Sequence, residues 1–201
     1  MAHGVLMTGW YVLFFVQTWL VRTHRVATHK RLGWFATGYA GLMVVSGIAV
    51  AIHGTGRDVR VPHFDGIPPL IFMGFLFVLI GVFAVIVAAA IMLRRRRDSH
   101  KNLMLLSLFS MLSAALFRLP AKSLGPFAFL IDGGFLGVFS LDLRLLYTCV
   151  AWNTWRHRRL HPVFALGGHL IVAKNTPLTG LFVTSPIWLH FAQWVVGKCT
   201  F

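Results

Sequence analysis

Residues Leu70–Lys101 read LIFMGFLFVLIGVFAVIVAAAIMLRRRRDSHK, an apolar run that stops on four consecutive arginines, Arg94 to Arg97. An unbroken apolar segment longer than about 20 residues fits the hydrocarbon core of a bilayer as a helix, because in lipid only hydrogen bonds within the segment satisfy its backbone. The stretch predicts a transmembrane helix. Adjacent arginines are costly to translocate, so the positive-inside rule keeps that end in the cytoplasm. This assignment orients the rest of the chain.

Composition points the same way. Of the 201 residues, 57% are hydrophobic and only 12% charged, against roughly 25% charged in soluble domains. The formal net charge of +14 sits in short loops flanking apolar runs, so the expected counter-charge is anionic lipid headgroups of the inner leaflet and not nucleic acid. Glutamate is absent and the acidic residues are five aspartates, which nearly excludes a paired-carboxylate active site. Cys149 and Cys199 fall on opposite sides of the membrane in the topology below and are not expected to pair. The amino terminus lacks a basic region before its apolar run and reads as a retained helix.

Taken outward from the organising run, the chain predicts an all-α, six-helix transmembrane bundle over 1–183 and a short interfacial helix with its tail over 184–201. Helix 1 is expected from about Val5 to Val21 and helix 2 from Leu32 to Ile52, with Arg22, Arg25, Lys30 and Arg31 between them in the cytoplasm. Helix 4 follows at Asn102 and ends before Pro120. Helix 5 starts after Gly125-Pro126 and reaches Trp152, and helix 6 runs from Pro162 to near Phe182. Lys174 and Pro177 mark where helix 6 is open to being broken or re-entrant. Ser185-Pro186 supplies an N-cap and a first-turn proline for the tail helix, whose Trp188 and Trp194 suit the outer interface. Basic residues concentrate in the connections assigned inside, so both termini are expected outside a cytoplasmic membrane.

One pattern repeats at the basic helix starts. His29-Lys30-Arg31-Leu32-Gly33 opens helix 2, His100-Lys101-Asn102-Leu103-Met104 opens helix 4, and Leu160-His161-Pro162 opens helix 6. His29, Gly33, Thr37 and Gly41 follow a four-residue series, a small face on which a neighbouring helix can approach closely. Helix 5 carries Asp132, Asp142 and Arg144. A rise of about 1.5 Å per residue puts Asp132 level with Arg118, predicting a buried structural ion pair, and puts Asp142 near the inner boundary with the three histidines.

These placements predict a cofactor site at the cytoplasmic ends of helices 2, 4 and 6. His29, His100 and His161 would hold haem b or a transition metal, with Asp142 as a further metal ligand or as the acceptor that fixes a tautomer. The alternative is that each histidine hydrogen-bonds within its own basic loop or to a lipid phosphate.

On the HKRLGW, HKNLM and LHP segments, with Gly167-Gly168 and the tail from Pro186 to Trp194, the chain resembles a family of bacterial polytopic membrane proteins of unassigned function. In that family an aspartate commonly precedes the His-Pro pair, where this chain has Asn153. The arrangement is also similar to small membrane b-type cytochromes, which implies a redox or assembly role in electron transport. The other reading is a non-catalytic accessory subunit that docks onto other membrane subunits.

Overall fold

The computed structural model describes residues 2–58, 66–116, 125 and 134–199. Among the described residues every regular element is a helix: α1 (Ala2–Arg22), α2 (Val26–Asp58), α3 (Pro69–Met92), α4 (Arg97–Leu116), α5 (Gly134–His157), α6 (Pro162–Lys174), α7 (Pro177–Val183) and α8 (Pro186–Cys199). The expected all-helical class is what forms. Three helical stretches, His3–Arg22, Val26–Gly56 and Pro69–Met92, are long and apolar enough to cross a membrane. The chain divides into two compact units, Met1–Val50 and Ala51–Phe201.

The first unit is an antiparallel hairpin. Helix α1 ends because His24 takes a left-handed conformation (φ 59°). The Arg25 N–H then donates to the Leu20 carbonyl (2.8 Å) and the His24 N–H to that of Val21 (3.1 Å), a pairing that satisfies carbonyls the helix leaves open. Helix α2 starts at Val26, ahead of the expected Leu32, because Lys30 and Arg31 are good helix formers that lie exposed on its first turns. Polar clasps run the length of the hairpin. His3 Nδ1 meets Ser46 Oγ at 3.0 Å, and the Tyr39 hydroxyl donates to the Leu6 carbonyl at 2.8 Å. Beside them Met7, Trp10, Ala40 and Met43 are buried. Gly41 is exposed, because a strict four-residue series drifts off the face of a 3.6-residue helix.

In the second unit α3 and α4 form a tight hairpin around the arginine turn. Leu103 and Leu106 of α4 face Gly167 of α6, and Ser110 faces Lys174, so these two helices run side by side in the same direction. Leu146 faces Gly168 and Asp142 faces Lys174, so α5 runs against them. A Cβ on Gly167 would lie 2.7 Å from Leu106 Cδ1, which explains the Gly-Gly pair as the point where α6 crosses its neighbours. Ile86, Leu106, Leu146, Phe164 and Ile171 build the core there.

This parallel arrangement gathers Arg94 to Arg97 and Arg156 to Arg159 at one end of the unit. At the far end, α7 and α8 pack on the start of α3, where Ala51, Met73, Val183, Trp188 and Ala192 form a second core. Trp188 is therefore not an interfacial residue as expected: it is 4% exposed and its indole N–H donates to the Leu70 carbonyl (3.0 Å). Trp194, about 120° round α8 from it, is 62% exposed. The expected cap is present, with Ser185 Oγ accepting from the Trp188 N–H at 3.3 Å.

Candidate functional site

The sequence left the continuity of helix 6 open, and the structure breaks it after Lys174. Asn175 and Thr176 separate α6 from α7, and Pro177 opens α7 at its first turn. Local side chains satisfy the freed carbonyls: Asn175 Nδ2 donates to Ile171 (2.8 Å), while the Thr176 and Thr179 hydroxyls both donate to Ala173 (2.8 and 3.1 Å). A break whose backbone is repaired by its own side chains is compatible with a low-dielectric surrounding.

At this break lies an ion pair. Lys174 Nζ is 2.5 Å from Asp142 Oδ2, with the two side chains 1% and 0% exposed. The same ammonium donates to the Ser110 carbonyl of α4 at 3.1 Å, so one cation ties three helices. Ser107 and Ser110 line the α4 side, fully buried, each donating its hydroxyl to a carbonyl one turn back. Lys174 is the last residue of α6, where the partial negative charge of the helix end favours a cation.

Asp142 lies about 12 Å along the axis from the start of α5 at Gly134 and about 21 Å from Arg156. It stands fourteen residues before Arg156, so it lies well inside α5 and not at the basic boundary. Lys174 stands a comparable distance, about 20 Å, from His161. Matching those two depths was the signal that could have paired them.

Two of the three helix-opening histidines, His100 and His161, serve a helix end. His100 Nδ1 lies 2.8 Å from the Ala90 carbonyl, one of the last open acceptors of α3, so Nδ1 carries a proton and donates there. His161 is the N-cap of α6, its Nδ1 accepting from the Val163 N–H (3.2 Å), which leaves the proton on Nε2. His29 belongs to the first unit. There the Gln17 amide, oriented with its nitrogen towards the acceptors, donates to His29 Nδ1 (2.5 Å) and the His29 carbonyl (3.2 Å), and its oxygen accepts from the Gly33 N–H (3.0 Å). His100 and His161 stand at the same end of the second unit. Among the described residues no three His, Cys, Asp or Glu side chains form a group able to hold a metal ion. Arg118 and Asp132, expected to pair, lie outside the described residues.

Compared with protein-family models, curated proteins and solved structures, the chain has no match.

Proposed function

We propose that this chain is a six-span subunit of a larger assembly in the cytoplasmic membrane, with both termini outside and the Asp142–Lys174 pair as the clamp that fixes its fold. The observation that carries this reading is the inward closure of its polar chemistry. Asp142 is paired through Oδ2 with Lys174, and His29, His100 and His161 are engaged by Gln17, Ala90 and Val163. What the chain presents outward is a broad apolar and aromatic surface, including Phe15, Trp19, Trp152, Trp155 and Leu166. Helices α4 and α5 complete the spans with α6 and α7 together; the 24 residues of α5 alone cover about 36 Å. Anionic headgroups at the inner leaflet meet the arginine clusters. Solubilised from its own membranes in mild detergent, the protein is expected to have a mass, with bound detergent subtracted, well above that of the 22.5 kDa chain. The mass of a single chain overturns the reading.

A second reading keeps a haem or metal at His100, favoured by its geometry. An imidazole whose Nδ1–H donates to a backbone carbonyl presents Nε2 as a ligating histidine does. His29 and His161 would have to give up their present bonds to join it. An absorption band of haem in the purified protein, lost in His100→Ala, is the result that would favour it.

A further inference from the structure

On α5 the sequence Asp142-Leu143-Arg144 places two charges about 3 Å apart along the axis but on opposite faces, since residues two apart point about 200° from each other. Asp142 turns inward to Lys174. Arg144 is exposed, and Tyr147, Thr148 and Trp155 lie exposed on the same side of the helix. The ion pairs among the described residues are Lys101 with Asp98 and Lys174 with Asp142, so no described carboxylate answers Arg144.

We propose that this face of α5 docks a transmembrane helix of a partner protein that carries an aspartate or glutamate at the depth of Arg144. The inference rests on the reading of α5 as a span and names the chemistry of the partner. Arg144 is about 18 Å along the axis from Arg156 and about 15 Å from Gly134. Both distances exceed what a snorkelling side chain covers, so lipid headgroups do not neutralise it. A guanidinium held at that depth faces protein or water and takes a counter-charge. Among the residues whose side chains are described this chain has little to offer: its first 50 residues contain no acidic side chain, Asp142 is committed and Asp98 sits at the basic end, while Asp58, Asp65 and Asp132 lie outside them. A second copy in the same orientation brings the same charges to the same depths and so repeats the deficit. The surplus of positive charge on this face selects an acidic partner helix, with Tyr147 and Thr148 offering further hydrogen bonds across the contact.

The test uses the full-length protein in phosphatidylcholine vesicles with labelled synthetic peptides, each a lysine-flanked leucine-alanine transmembrane helix. One has a single aspartate at its centre and the other a leucine there. The aspartate peptide is expected to give energy transfer with the protein, the leucine peptide little. Arg144→Leu and Arg144→Gln should each weaken the aspartate peptide about tenfold, while Arg144→Lys retains most of its binding. Equal transfer from both peptides, or no loss in the Arg144 variants, overturns the proposal. So does Arg144-dependent transfer between two copies of the protein, which would make the occupant a second copy. In a Cys149→Ser, Cys199→Ser background, Thr148→Cys separates the two failures. Labelling by a water-soluble maleimide removes the spanning reading and the proposal together; protection without peptide binding removes the proposal alone.

Discussion

Removing either charge at the α6 break takes the counter-ion from a group buried to 0 or 1% exposure. Lys174→Met and Asp142→Leu should each therefore destabilise the protein by about 3–5 kcal/mol, read as a lowered thermal midpoint in detergent. The double variant should recover most of that loss, because two apolar side chains pack there without any desolvation cost. A double variant as unstable as either single one would show that the Ser110 contact, not the pairing, carries the effect. A second residue-scale prediction concerns His24, which is exposed and left-handed. His24→Gly should raise stability by about 1 kcal/mol, and His24→Ala should not, because only glycine relieves the steric cost of that conformation. The sequence made Asp142 conspicuous, as any carboxylate in an apolar helix is. It did not reveal the partner, since Lys174 stands three residues before Pro177, in a stretch that reads as chain punctuation.

At the scale of elements, the seat of α7 and α8 on α3 depends on Gly74. A Cβ there would meet Val183 Cγ1 at 2.5 Å, Val183 Cβ at 2.8 Å and Trp188 Cε2 at 2.9 Å, and a branched carbon close to its own backbone cannot swing aside. Gly74→Ala should cost about 1–3 kcal/mol and speed amide exchange across Pro186–Cys199. Gly81→Ala, on the same helix with open space beside it, should cost nothing and gain up to about 1 kcal/mol from helix propensity, without speeding that exchange. Two helix starts were legible from their prolines, Pro162 and Pro186, and the structure adds Pro69 and Pro177 at first turns of their own. What the caps could not say was which face of α8 meets protein. Trp188 and Trp194 have the same chemistry, and only the packing of Ala192 and Val195 beside Trp188 tells the buried one from the exposed one.

For the whole molecule, the argument turns on direction. Because α4 and α6 start at one end of the second unit, the clusters Arg94–Arg97 and Arg156–Arg159 lie together, while α7 and α8 crown the other end. A protein inserted under the positive-inside rule then has Ser99 in the cytoplasm and Thr184 outside. In the cysteine-free background, Ser99→Cys should react with an impermeant maleimide only after the membrane is opened, and Thr184→Cys in intact cells. Reaction of both from the same side would break the six-span topology, since α6 and α7 would then fail to carry the chain across. The charge counts that orient the helices were plain in the sequence because they depend on composition alone. The break after Lys174 was visible only as an open choice, because a lysine, an asparagine, a threonine and a proline in succession are equally at home in a loop. In the folded chain that choice is decided by Asp142, which anchors Lys174 against α5 and so lets α6 stop in the interior and α7 continue outward.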